Sequence, residues 1–273
     1  MELSSQSKLP DPINPPPYLS ASSISTWKQC KLKYKYSRLD KIPEGTSEAL
    51  LMGSFVHEVL EHFYARPAGE RNLANAKAMC SYVWTKSEWG EQVKQVLSTG
   101  GQVRQFRWNS WWCLENLWII ENPELIVPAG IEIEVNGPIG GSVPVKGFVD
   151  RYSLTDAGAL RISDYKTGKA PKKKEWLDEK WYQLTIYAIL LKAKTNLPIE
   201  ELELLFLKEA IKFTKKPTER EIDEVASDIV AVHADILSAC ETREFPTTVS
   251  KLCNWCSFKP ICPAHNKPRK ALV

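Results

Sequence analysis

The 273-residue sequence has no apolar run approaching the ~18 residues that a membrane-spanning helix needs, which excludes that class of segment. Its start, Met1-Glu2-Leu3-Ser4-Ser5-Gln6-Ser7, is polar and lacks the apolar core of a secretion signal, so a cytoplasmic protein with no membrane partner is expected. Net charge is also scarce. Lys+Arg 36 against Asp+Glu 33 leaves only +3, too little to coat a polyanion through the overall field, so any polyanion must find a local patch. No Walker-type phosphate loop or helicase motif occurs, hence the chain is not itself a motor. There is no internal repeat, and no biased tract beyond residues 1–18. What is present includes seven cysteines, an odd number; without a secretion signal they point to thiols and metal ligation before disulfides.

Pro10, Pro12, Pro15, Pro16 and Pro17 make residues 1–18 an extended leader that adds little to the core. A main domain is expected over 19–243, with a helical insertion at about 66–122 and a distinct C-terminal segment over 244–273. Apolar spacing predicts helices over 23–38, 53–64, much of 73–122, 175–194 and 218–242. Strands are predicted over 125–135, 143–154, 159–166 and 202–208. The first three are separated by short turns and form an antiparallel meander, whereas the fourth follows a crossover helix and pairs in parallel. The fold class is therefore α/β, a central mixed sheet flanked by helices with an N-terminal helical region.

The most informative motif is Asp164-Tyr165-Lys166-Thr167-Gly168, preceded by Gly147-Phe148-Val149-Asp150. Alternation along 159–166 sets Leu160, Ile162 and Asp164 on one face, and Lys166 continues it. Two carboxylates suit a hard divalent cation, and a lysine beside them suits an attacking water and a charged phosphate. Alone, the same letters are more often a surface ion pair. Their surroundings extend the pattern: His57 lies upstream in Gly53-Ser54-Phe55-Val56-His57-Glu58, and Gln183 and Tyr187, four apart, share a helix face downstream. His57 and His62 are five apart, which rules out a zinc-protease pair, since that needs a spacing of four.

This ordered set resembles the PD-(D/E)xK nuclease superfamily over roughly residues 18–266, specifically the RecB-like branch that carries an iron-sulfur cluster. That branch includes the AddB nuclease domain and CRISPR-associated and phage RecB-like exonucleases. The resemblance implies a restriction-endonuclease-like core in which His57, Asp150, Asp164 and the carbonyl of Tyr165 ligate Mg or Mn. It implies that Lys166 is catalytic and that Gln183 and Tyr187 contact the site and the DNA backbone. Glu134 matches an upstream strand acid of the family, a solvated strand residue being an equal reading. The implied activity is a metal-dependent DNA exonuclease acting on single-stranded ends. The alternative is an iron-sulfur DNA-binding or end-processing module active only with protein partners, in a recombination or CRISPR-adaptation complex.

Cys253-Asn254-Trp255-Cys256 and Cys262 place three thiolates within a short, Pro-flanked segment. Spacing alone leaves the fourth ligand open between His265 and a distant cysteine, and leaves the occupant open between 4Fe-4S and zinc. The resemblance selects Cys30 and the cluster, which would clamp the C-terminal segment onto the first helix. Cys80, Cys113 and Cys240 read as ordinary thiols. For phosphate contacts, the candidates are Lys169, Lys172, Lys173 and Lys174 beside the motif and Lys28, Lys31 and Lys35 on the first helix, a solvated face being the competing reading. Trp176, Trp181 and Tyr182 are candidates to stack unpaired bases, while Trp108, Trp111, Trp112 and Trp118 have the spacing of a packed helix.

Overall fold

Ser20 opens the first helix with a capping box, its hydroxyl accepting from Ser23 N at 3.2 Å while Ser23 Oγ accepts from Ser20 N at 2.8 Å. In this computed structural model, which describes residues 13–266, helix α1 (Ala21–Gln29) buries Ile24 and Trp27. Residues 1–12 of the leader, residues 267–273 and the side chains of Lys174 and Glu175 lie outside the described part. The helix expected to run to residue 38 is interrupted at Cys30, whose backbone is extended, and resumes as α2 (Lys31–Tyr34) followed by a π-helical turn over Lys35–Leu39.

Ser47 caps α3 (Glu48–Tyr64), which starts earlier than its apolar face predicts. Helices α4 (Leu73–Lys86), α5 (Trp89–Lys94), α6 (Gly100–Glu115) and α7 (Leu117–Ile120) pack with α3 around Val59, Val83, Val93 and Phe106. Trp111 and Trp118 pack against this core, but Trp108 and Trp112 are exposed. Four apart, those two share the outer face of α6, so the reading of all four as packed fails for them.

Strands β1 (Pro128–Ile139), β2 (Val143–Leu154), β3 (Leu160–Lys166), β4 (Ile199–Phe206) and β5 (Ile211–Lys215) form one sheet in sequence order. Only β3 and β4 are parallel, joined by the crossover helix α8 (Asp178–Thr195). This is the mixed α/β sheet flanked by helices that the sequence predicts. The short edge strand β5 is an addition. Helix α9 (Glu219–Thr242), capped by Thr218, closes the layer with α1 and α8. Alternation assigns the two cores: Leu160, Ile162, Leu202 and Leu204 face α1, α8 and α9, and Tyr165 and Leu205 face α3 to α7.

One break in that alternation positions the site. Ile131 and Ile133 are two apart yet pack into opposite cores, with Glu132 between them in the left-handed region at φ 45°. Opposite them, Val149 and Tyr152 are three apart yet pack on the same core. The pairs Ile131↔Arg151 and Ile133↔Val149 bracket Glu132 and Asp150, so the two acids stand across from each other where both strands change face. Past α9 the described residues carry only short 3₁₀ turns, at Lys251–Trp255 and Lys259–Ile261. Phe245 packs edge-on to Trp27, Phe258 to Tyr36, and Leu32 N donates to Pro246 O, seating this segment against α1 and α2. Among the described residues no helix is long and apolar enough to cross a membrane.

Candidate active site

An open pocket of about 430 Å³ is lined by Leu50, Gly53, Ser54 and His57 of α3, Asp150 of β2, Asp164 to Lys166 of β3, and Gln183 of α8. Asp164 and Lys166 share a strand face, with Lys166 Nζ 2.6 Å from Asp164 Oδ2. Lys166 Nζ also donates to Gln183 Oε1 at 3.3 Å, and Gln183 Nε2 donates to Tyr187 Oη at 2.9 Å, so one helix face orients the lysine. Close packing there requires glycine at 147: an added Cβ would lie 3.0 Å from Tyr187 Cδ1 and closer still to Cε1.

The backbone of Tyr165 joins the remaining groups. Its N–H donates to Asp150 Oδ2 at 2.8 Å, and its carbonyl accepts from His57 Nε2 at 2.9 Å. His57 Nδ1 faces Asp150 Oδ2 at 3.5 Å and Glu132 Oε1 at 3.7 Å. Burial opposes a charged imidazole, but Asp150, Glu132 and Asp164 together prevail and raise the His57 pKa to about 9. Burial, then the nearby Asp164 charge, pushes Asp150 up to about 7. Three carboxylates thus crowd one site, and their combined charge favours a proton on His57.

The donor set fits a divalent ion. Ligand atoms of His57, Glu132 and Asp150 lie within 4.8 Å of one another. Asp164 Oδ2 is buried without a well-formed hydrogen bond, its Lys166 neighbour being close but off geometry. Oxygen-rich sites with one imidazole suit Mg or Mn.

Glu132 was not singled out by sequence pattern, and Glu134 was. Glu134 instead pairs with Lys146 at 2.7 Å and accepts from Asn136 at 3.1 Å, outside this group. The left-handed Glu132 turns the strand, so the acid two residues earlier is the one aimed at His57. Arg151, buried to 1% exposure, was also missed. It forms a bidentate pair with Glu121 at 2.6 and 2.8 Å and donates to Ser163 Oγ at 3.1 Å. Its guanidinium lies 4.7 Å from the Tyr64 ring and 5.4 Å from the Tyr165 ring, beneath the residue whose backbone contacts both Asp150 and His57.

Cys30, Cys253, Cys256 and Cys262 line a separate cavity of about 150 Å³. Backbone N–H groups point at two of the sulfurs, Thr248 to Cys30 Sγ at 3.5 Å and Ser250 to Cys253 Sγ at 3.4 Å. His265 lines the same cavity, and Cys80, Cys113 and Cys240 do not. No disulfide joins cysteines among the described residues.

The expected basic stripe on the first helix is neutralised. Lys28 pairs with Asp228 at 2.6 Å and Lys31 with Asp235 at 2.5 Å, because α9 lays its acids alongside, and Lys35 pairs with the local Asp40 at 2.5 Å. Lys172 and Lys173 are exposed next to the site, whereas the side chain of Lys174 is outside the described residues. Of the candidate stackers, Trp181 and Tyr182 pack against the core, with Tyr182 Oη donating to Asp228, and Trp176 is 60% exposed.

Comparison with known proteins gives the family and the fold. The sequence profile of the PD-(D/E)XK nuclease superfamily matches residues 18–263. Over 199 residues the chain is 25% identical to the Gene 69 protein of Mycobacterium phage D29, covering 63% of this chain and 68% of that one. Over 215 residues it is 23% identical to the Gene 69 protein of Mycobacterium phage L5, covering 63% and 70%. A candidate exonuclease of known structure from Eubacterium rectale shares the fold at a TM-score of 0.55 and 12% identity, covering 88% of this chain and 86% of that one.

Proposed function

Since the chain belongs to the PD-(D/E)XK nuclease superfamily, we propose that it is a metal-dependent DNA exonuclease acting on single-stranded ends, with Asp150, Asp164 and Lys166 as its reacting centre. The observation that carries this reading is the convergence of those three with His57 and Gln183 on one open pocket, with a Glu132 carboxylate oxygen within 4.8 Å of the ligand atoms of His57 and Asp150. His57, Asp150, Asp164 and the Tyr165 carbonyl would hold Mg or Mn, with Glu132 completing the set. Such an ion supplies charge that polarises the phosphate and acidifies an attacking water. Loading it requires His57 to release a ring proton, since a ligating imidazole is neutral.

Lys166 orients the attacking water and offsets charge developing on the phosphoryl oxygens, a task for a fixed cation in a partly dry site. Gln183 holds that ammonium in place, and Tyr187, its pKa raised by burial to about 12, remains a neutral phenol able to donate to a phosphate oxygen. The RecB-like branch is supported by Cys30 sharing a cavity with Cys253, Cys256 and Cys262, and by N–H donors aimed at two of those sulfurs. A 4Fe-4S cluster there would fix the C-terminal segment over 244–273 to α1. The mycobacteriophage relatives favour a phage setting over a CRISPR-adaptation one.

The test is digestion of 5′-labelled, 3′-labelled and circular single-stranded DNA with Mg or Mn. Shortening from an end with the circle intact is expected. Cleavage of the circle at a comparable rate would overturn the exonuclease assignment.

A further inference from the structure

Beside the catalytic pocket runs a second concavity of about 550 Å³, and Gln183 lines both. Tyr187, which holds Gln183, also lines it, so the groove opens directly onto the lysine-positioning face. Its walls come from β2, from α8 and from the residues around α1. They are held together where Leu19 bridges Val145, with Leu19 N donating to Pro144 O at 2.9 Å and Lys146 N donating to Leu19 O at 2.8 Å.

Three features of this groove match an unpaired nucleic-acid strand. First, it gathers cations without an acid partner: Lys33, Arg38 and Lys180 have no carboxylate within 4.0 Å among the described residues, Arg38 donating only to Ser22 Oγ at 3.3 Å, although nearby Lys28, Lys31 and Lys35 are each paired with an acid. Second, it exposes two aromatic rings, Tyr18 at 46% and Phe148 at 50%, which a core-forming strand and its flank would otherwise bury. Third, Lys146 Nζ lies 5.6 Å from both ring centroids, so a phosphate site sits between two stacking surfaces. Against these stand two acids. Glu179 lines the groove and accepts from Ser25 Oγ, and Glu134 pairs with Lys146 from β1.

We infer that this groove is the track for single-stranded DNA, with bases stacked on Tyr18 and Phe148 and the backbone held by Lys33, Arg38, Lys146 and Lys180 on its way past Gln183. The inference rests on the nuclease reading and adds the path of its substrate. Unpaired bases are required, because duplex DNA hides the base faces that exposed rings would contact, whereas stacking of this kind is indifferent to sequence. The stacking residues are therefore not the tryptophans that follow the catalytic motif in sequence but a tyrosine before α1 and a phenylalanine on β2.

The test is fluorescence anisotropy of labelled oligothymidylate of about ten nucleotides, bound to the full chain in EDTA so that no hydrolysis is needed. Tyr18→Ala with Phe148→Ala is expected to weaken binding by about tenfold or more, and Tyr18→Trp with Phe148→Trp to retain it. Lys33→Gln with Lys180→Gln, checked for an unchanged circular dichroism melt, is expected to weaken binding and to reduce its dependence on salt by about one to two counterions. Blunt duplex of the same length should compete poorly. Unchanged affinity in both the alanine and the glutamine variants would overturn the groove while leaving the nuclease reading intact. Binding that follows these variants in a protein that hydrolyses nothing would overturn the nuclease reading and leave the groove standing. An oligouridylate arm binding more tightly than oligothymidylate would overturn DNA as the occupant.

Discussion

Arg151→Met removes the cation from a charge cluster that almost no solvent reaches. Arg151 is 1% exposed, and the side chains of Glu121 and Glu203 are each 5% exposed. Glu203 keeps Lys212 at 3.2 Å and Arg161 at 3.9 Å, so it is not stranded. Glu121 is left with the Tyr64 hydroxyl, and most of the penalty falls on it. Removing one member of a buried ion pair costs about 3–5 kcal/mol, because the other charge remains without water or partner. At an m-value of roughly 2–3 kcal/mol/M, the urea midpoint should fall by about 1–2.5 M, followed by circular dichroism.

Two further arms sharpen this prediction. Replacing the pair together, Arg151→Met with Glu121→Leu, should recover most of the loss, since well-packed apolar groups substitute for buried ion pairs at little net cost. In the single variant the folded-state pKa of Glu121 rises above its ordinary 4.5, the reverse of the wild-type protein, where Arg151 outweighs burial and holds it low. The penalty is then absent below about pH 4.5 and grows as pH rises, so the gap between variant and wild type should narrow on acidification. A midpoint shift below about 0.3 M at pH 7, or a gap that widens toward acid, would refute the reasoning.

Other outcomes follow from the same geometry. Gly147→Ala forces a Cβ against the Tyr187 ring and should cost about 1–3 kcal/mol, and that cost should largely vanish in a Tyr187→Ala background; equal costs in both would mean the close approach is not the reason for glycine. His57, with its folded pKa raised from 6.5 to about 9, contributes stability that is complete below pH 6.5 and lost as pH rises through 9. Thermal melts in EDTA should therefore decline over that window, and Asp150→Asn should flatten the decline; an unchanged slope would contradict the assigned partner. Cys30→Ser should lower the iron and acid-labile sulfide of anaerobically purified protein to below half, whereas zinc with no iron in the wild type would remove the cluster from the account.

The sheet order was readable because the connections limit it: short turns impose antiparallel pairing, and the crossover after Lys166 imposes the parallel one. The Asp164 and Lys166 face was readable from alternation, as was the Gln183 and Tyr187 face from helical spacing. Glu132 was hidden because alternation gives Glu132 and Glu134 the same face, and only the left-handed backbone of Glu132 itself breaks that alternation. One signal could have found it. Gly140 and Gly141, both at positive φ, close a tight turn between Ile139 and Val143, and counting back from that pairing sets Asp150 opposite position 132. Arg151 was hidden for another reason: beside an aspartate on a strand it reads as a solvated charge, and its partner Glu121 lies at the end of a helix whose placement on the sheet no local pattern encodes. The neutralised lysines of α1 and α2 follow the same logic, since their acids are contributed by α9, some 200 residues later in the chain for Lys28.

The central claim is that Asp164 and Lys166 act on a phosphodiester beside a divalent ion, and one measurement addresses it directly. Single-turnover hydrolysis of labelled single-stranded DNA in Mn, compared for the wild type, Asp164→Asn and Lys166→Ala, should show an EDTA-sensitive wild-type rate. Each variant should be slower by at least about 10²-fold, the loss that accompanies removal of a fixed charge from a reacting centre. Either variant within about threefold of the wild type would contradict the account.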